Sequence, residues 1–143
     1  MHKHFSYCGL YCGACSGMIV HEQQQGDPSV QDIKIPSDET PCSGCCNRTD
    51  EDCEIIRCNI EHGSECCAFC PEFPCQVIRN FNDEEWVHHC VVLDNHNRIK
   101  EIGIDAWLEE QKMFWSCQNC RSRTHWYQTH CETCGNSWEP VFQ

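Results

Sequence analysis

The sequence predicts a small metal-stabilised α+β protein, mainly short helices and loops, closed by a C-terminal β-hairpin zinc ribbon. Three observations predict it. Seventeen of the 143 residues are cysteine, spaced mainly as Cys-x-x-Cys pairs. The apolar residues between these pairs recur at helical spacing, but only over short stretches. The last four cysteines form two Cys-x-x-Cys knuckles ten residues apart, at Cys117/Cys120 and Cys131/Cys134. Together they divide the chain into a cysteine-rich, mainly helical metal-binding body (1–112) and a ribbon (113–143).

The cysteines read as metal ligands rather than a disulfide framework. Their number is odd, so disulfides cannot pair every thiol. Two cysteines three apart place both sulfurs around one ion but rarely close a good disulfide loop. The opening Met1-His2-Lys3-His4-Phe5-Ser6-Tyr7 lacks the apolar run of a signal peptide. Disulfides do not persist in a reducing cytosol, so the expectation is a cytoplasmic protein. No apolar stretch approaches the roughly 18 residues a membrane span requires. With cysteines taking much of the apolar quota, metal ions supply folding energy that a thin core cannot.

The N-terminal elements follow in order. Tyr7-Cys8-Gly9-Leu10-Tyr11-Cys12-Gly13-Ala14-Cys15 is a first metal knot, and its glycines let the backbone fold tightly. Ser16 caps a helix through Met18, Ile19 and His21 to about Gln25, and Gly26 ends it. Residues 27–41, polar and with three prolines, read as a loop or flexible linker. Cys42-Ser43-Gly44-Cys45-Cys46 is the second knot. The acidic turn Asp50-Glu51-Asp52 leads into a helix over 53–62 that carries Cys53 and Cys58 and stops at Gly63.

Beyond Gly63 comes the third knot, Cys66-Cys67-Ala68-Phe69-Cys70, which runs into Pro71-Glu72-Phe73-Pro74-Cys75. Pro74 opens the first turn of a helix carrying Val77, Ile78 and Phe81. After a helical turn at 83–90, Leu93, Ile99 and Ile102 form one helix stopped by Gly103. Ile104, Trp107, Leu108 and Gln111 form the next, and both stripes face a core.

Candidate ligands in the body are Cys8, Cys12, Cys15, Cys42, Cys45, Cys53, Cys58, Cys67, Cys70 and Cys75. Knots one and two are natural partners, as are knot three and the Cys53/Cys58 helix. Cys46, Cys66 and Cys90 are spares: the first two each adjoin another cysteine, and Cys90 sits in an apolar run that suits a core position. His88-His89 reads as a surface pair, and His2 and His4 as part of a mobile terminus. For the metal, soft thiolates favour Zn²⁺ in the ribbon, and Zn²⁺ or a [4Fe–4S] cluster in the body. The loop Cys8-x3-Cys12-x2-Cys15 also has the spacing of the cluster-binding loop of radical S-adenosylmethionine enzymes, but the chain is too short for a barrel of that kind.

These residues point to a zinc-binding, non-enzymatic interaction module that works through a protein partner. No acid–base or nucleophile constellation stands out, and a closed four-thiolate site has no open position for catalysis. One alternative is an iron–sulfur or redox enzyme component built on Cys8, Cys12 and Cys15. A further alternative is weak single-stranded nucleic-acid binding by the ribbon, with Trp115, Trp126, Tyr127 and Trp138 as stacking surfaces and Arg121 and Arg123 as cations. Charge argues against the last. The net charge is −12, and residues 1–112 hold 20 acidic and 8 basic side chains while 113–143 hold two of each. The body should therefore repel a phosphate backbone.

The layout as a whole resembles domain-of-unknown-function family 3795, a cysteine-rich bacterial and archaeal family. The resemblance rests on Tyr7-Cys8-Gly9-Leu10 with Cys12 and Cys15, then Cys42-x2-Cys45, Cys53 with Arg57-Cys58, and Cys67-x2-Cys70 leading to Phe73-Pro74-Cys75. The segment Ile99-Lys100-Glu101-Ile102-Gly103 and Trp107-Leu108-Glu109-Glu110-Gln111 continue it. The resemblance marks Cys46, Cys66 and Cys90 as additions to the usual pattern and implies no reaction.

Overall fold

A computed structural model describes residues 1–51 and 53–143; Asp52, in the expected acidic turn, lies outside the described residues. Five helices form: α1 (Ser16–Gln24), α2 (Glu54–His62), α3 (Gln76–Asn82), α4 (Val92–Ile102) and α5 (Ile104–Phe114). Among the described residues there are four 3₁₀ turns, one before α1 at Cys12–Ala14 and three between helices at Cys45–Asn47, Cys67–Phe69 and Val87–Val91. The first and third span Cys-x-x-Cys pairs, with the second cysteine's N–H donating to the first's carbonyl at 3.0 and 3.1 Å.

Among the described residues there is no strand, so the expected α+β class and its C-terminal β-hairpin ribbon are corrected to an all-helical and loop architecture. The tail contains two isolated antiparallel bridges, Ser116 with Arg123 and His130 with Ser137. The reason is local: each bridge closes around its own knuckle. The chain between them spends its backbone groups elsewhere, with the Trp126 N–H going to Ala14 and the Gln128 N–H to His125. No ladder can propagate from groups already committed in this way.

Helix boundaries follow the sequence signals closely. Gly63 ends α2 in the left-handed conformation, at φ 63°, where a side chain is disfavoured. Gly103 separates α4 from α5, and Arg98 of α4 ties the pair by donating to Glu110 of α5 at 3.0 Å. The buried stripes are Val92, His96 and Ile99 on α4, and Trp107 and Leu108 on α5. Ser16 does not cap α1; Cys15 holds that position, and Ser16 Oγ donates to Glu39 at 2.6 Å. Pro74 precedes Cys75, the cap of α3, rather than lying within its first turn.

The main core gathers Phe5, Leu10, Tyr11, Ile55, Ile78, Val92, Ile99 and Trp107. Trp107 is fully buried, with Phe5 and Tyr11 edge-on at 6.2 and 6.3 Å. Trp115, Trp126 and Phe142 from the tail join the same cluster. The segment 27–41 is a loop, as expected, but one anchored to α1 rather than a flexible linker. Val30 and Ile33 pack on Ile19, and Gln23 Nε2 donates to both of their carbonyls, at 2.8 and 2.7 Å. Each aliphatic side chain buried this way contributes roughly 2 kcal/mol, enough to pin a loop.

The expected mobile terminus is also corrected. His4 is buried, with Nε2 2.7 Å from Glu22 of α1, and Phe5 enters the core. Glu22 also meets Lys3 at 3.0 Å and Arg123 at 2.8 Å. One buried carboxylate thereby joins the N-terminus, α1 and the tail.

Candidate metal centres

In the tail, Cys117, Cys120, Cys131 and Cys134 bring their four sulfurs within 4.8 Å of one another. Cys117 and Cys134 are 3.7 Å apart, and Cys120 and Cys131 are 3.5 Å apart. A zinc–sulfur bond of about 2.3 Å in a tetrahedron places sulfurs about 3.8 Å apart, so these thiols already have the edge length of a single-ion site.

The two knuckles are built alike. In each, the first cysteine's N–H donates to a carbonyl five residues on: Cys117 to Ser122 at 2.8 Å, Cys131 to Asn136 at 2.7 Å. Its own carbonyl accepts from the residue four on, Arg121 or Gly135, at 2.8 and 2.9 Å. That fourth residue is left-handed in both, at φ 65° for Arg121 and 76° for Gly135. The sequence disguises the repeat because arginine occupies the place that glycine takes in the second copy.

Donors converge on these sulfurs. Asn119 Nδ2 reaches Cys134 Sγ at 3.4 Å. The Ser122 hydroxyl, and then its backbone N–H, hold the Cys120 thiol down at about 6. Burial pushes Cys131 up to about 11. The arrangement favours at least one thiolate before any ion arrives.

The ten candidate ligands of the body separate into two groups. Cys8, Cys12, Cys15, Cys42, Cys45 and Cys53 line one cavity of about 320 Å³. Its remaining wall is largely apolar, with Leu10, Ile55, Ile56, Phe81 and Trp126, and Arg48 also lies along it. Cysteines of knots one and two therefore line the same cavity. The 3₁₀ turn after Gly44 carries Cys45, and a side chain on Gly44, at φ 81°, would strike Met18 at 2.6 Å. Burial pushes the Cys8 thiol up to about 12 and that of Cys12 well upward, with neighbouring thiols adding to the effect.

The second group is Cys58, Cys67, Cys70 and Cys75. Burial raises Cys58, and Cys75 and Cys70 raise it further; Cys75 and Cys58 act on Cys67 in the same way. His62, Cys70 and Glu72 have ligand atoms within 4.8 Å of one another, and Cys58 Sγ lies 3.6 Å from His62 Nδ1. Asn59, buried on α2, donates to Cys67 Sγ at 3.2 Å. Sequence reading missed His62, Glu72 and Asn59; the His62–Glu72 pair is ten residues apart and has no motif, while Asn59 lies one turn of helix after Ile55 and reads as an ordinary buried polar residue.

The pairing of the Cys53/Cys58 helix with knot three is half right. Cys58 faces that knot while Cys53 faces the cavity. Cys53 is the extended residue capping α2, at φ −159°, while Cys58 lies within the helix, so the two thiols leave in different directions.

Of the spares, Cys46 and Cys90 are exposed and Cys66 is buried in the core. The expectation of a core position for Cys90 is therefore wrong, and Cys66 fills that role. His88-His89 is not a plain surface pair. His89 is buried and stacks on Phe81 at 4.0 Å, and His88 stacks on Trp126 at 4.2 Å. Trp115 and Trp126 are core residues, and Trp138 Nε1 donates to the Gln128 carbonyl at 2.7 Å. Among the described residues, no helix is long and apolar enough to cross a membrane.

The chain matches no curated protein and no solved structure. One family model matches residues 4–80, which takes in all ten candidate ligands of the body and leaves the paired helices α4 and α5 and the tail knuckles outside. The chain belongs to the family described as Protein of unknown function (DUF3795).

Proposed function

We propose that this protein is a zinc-binding, non-enzymatic module that acts through a protein partner, with Zn²⁺ held by Cys117, Cys120, Cys131 and Cys134. The observation that carries the reading is the 3.5 and 3.7 Å thiol separations in the tail. Four thiolates fill a tetrahedral ion and leave no position for substrate, which makes the site structural. The partner reading is supported by Met113, Phe114 and Val141, exposed apolar side chains that line a groove beside the knuckles. Nucleic-acid binding is disfavoured, since Arg123, one of only two tail arginines, is engaged by Glu22.

Elemental analysis of the purified protein tests the zinc reading. Wild type should carry about one tightly held zinc at the tail, and Cys134→Ser should lose it while the body keeps its metal content. Retention of full zinc by Cys134→Ser and by Cys117→Ser would refute the assignment. Turnover of a small substrate abolished by removing the tail metal would refute the non-enzymatic role.

A further inference from the structure

We infer that the six-cysteine cavity of the body binds a polynuclear iron–sulfur cluster of the [4Fe–4S] type, so that this protein carries two different metal chemistries. The inference is independent of the zinc reading, because the two sites share no residue.

Three observations carry it. The first is a contrast within one chain. The tail thiols stand at single-ion separation, 3.5 to 3.7 Å. Among the described residues, no three of the cavity thiols have sulfurs within 4.8 Å of one another. A mononuclear zinc site, or a zinc–thiolate cluster with shared sulfurs, requires such close triples, because every thiolate on one ion lies a tetrahedron edge from the others. In an iron–sulfur cube each thiolate binds its own iron, and inorganic sulfide occupies the centre. The protein sulfurs then stand further apart.

The second observation is volume. The thiols surround about 320 Å³ of space, roughly ten times the ~30 Å³ share of a water molecule in the liquid. A single ion in contact with its ligands leaves no such space; a cluster of eight iron and sulfide atoms fills part of it.

The third is the wall. Leu10, Ile55, Ile56 and Trp126 are all buried, and burial is one of the levers that protect a cluster and set its potential. Arg48 brings positive charge to an anionic cluster from beside Cys45. Four thiolates complete a [4Fe–4S] site, and six line the cavity. Cys12 lines the cavity together with Cys8, Cys15, Cys42, Cys45 and Cys53, so its replacement removes one of the six thiolates.

The test is anaerobic purification of the full chain, followed by reconstitution with ferric iron, sulfide and an excess of a thiol reductant, which supplies the two electrons that bring four ferric ions to the [4Fe–4S]2+ level. Wild type should contain about four irons and four acid-labile sulfides per chain, besides the tail zinc. It should show broad visible charge-transfer absorption and, after one-electron reduction with dithionite, a paramagnetic signal. Cys12→Ser should lose most of the iron. Cys117→Ser should lose zinc and keep iron, and Cys90→Ser should keep both. Wild type that takes up only zinc in its body, with no iron or sulfide after reconstitution, would overturn the inference, and this needs no variant to fold. Iron uptake undiminished in Cys12→Ser and in Cys45→Ser would overturn it equally.

Discussion

Replacing Glu22 by glutamine should destabilise the protein by about 3 kcal/mol, the free energy of a carboxylate pKa moved by somewhat over two units. The Glu22 side chain is 6% exposed and meets two cations, Lys3 of the N-terminus at 3.0 Å and Arg123 of the tail at 2.8 Å, together with the His4 ring at 2.7 Å. Burial alone would raise its pKa. Hydrogen bonds from His4 and Lys3, with the Arg123 charge, outweigh burial and hold it down at about 2, against an ordinary 4.5. The folded value is depressed, so the contribution is complete above about pH 4.5 and is lost as pH falls towards 2. Glutamine keeps the shape and some hydrogen bonds but leaves Lys3 and Arg123 without a counter-charge. Thermal unfolding followed by circular dichroism at pH 7, with metal content matched, should show a drop of roughly 10 °C, at 2–4 °C per kcal/mol for a chain of this size. The gap from wild type should narrow as the pH is lowered below about 4.5. A variant within about 1 kcal/mol of wild type at pH 7 would mean that the carboxylate is not an ionised clamp, since surface pairs are worth that little.

Three further outcomes follow from the geometry. Arg121→Gly should stabilise the protein by about 1 kcal/mol, because arginine at φ 65° occupies a conformation that glycine adopts without strain; denaturant titration that finds no gain would show the knuckle to be relaxed. Gly9→Ala should cost about 2–3 kcal/mol and weaken metal retention at the adjoining Cys8, since φ is +82° and a Cβ would lie 2.8 Å from His96 Nε2; unchanged unfolding would indicate that α4 yields freely. Cys46→Ser and Cys90→Ser should leave metal content and stability unchanged to within about 0.5 kcal/mol, as expected for exposed positions away from special features; loss of metal in either would make it a ligand.

Much of the helical framework was legible because its signals are local. Gly63 and Gly103 end helices by their conformational freedom, and Ile99, Trp107 and Leu108 reveal buried faces by spacing, while Leu93 and Ile102 of the expected stripe are only partly buried and Val92 and His96 take the buried face of α4. The convergence of the four tail thiols was legible because two knuckles of fixed spacing bring their sulfurs together. The β-hairpin expectation failed because knuckle spacing says where sulfurs go and nothing about the partners of the backbone between them. His4 and His89 were misread for a related reason. Their partners, Glu22 and the packed face of Phe81, lie 18 and 8 residues away and leave no pattern beside them.

By itself the sequence determined a thiol-rich chain of short helices, with its last four thiols placed to converge, because cysteine spacing and helical periodicity are written over a few residues. The tertiary structure decided how the thiols are shared. It drew six around one apolar cavity, brought Cys58 and Cys70 beside His62, and closed the last four to the edge length of a single ion. Which sulfur meets which depends on helix phase and loop closure over tens of residues, and on clamps such as Glu22 that join distant segments.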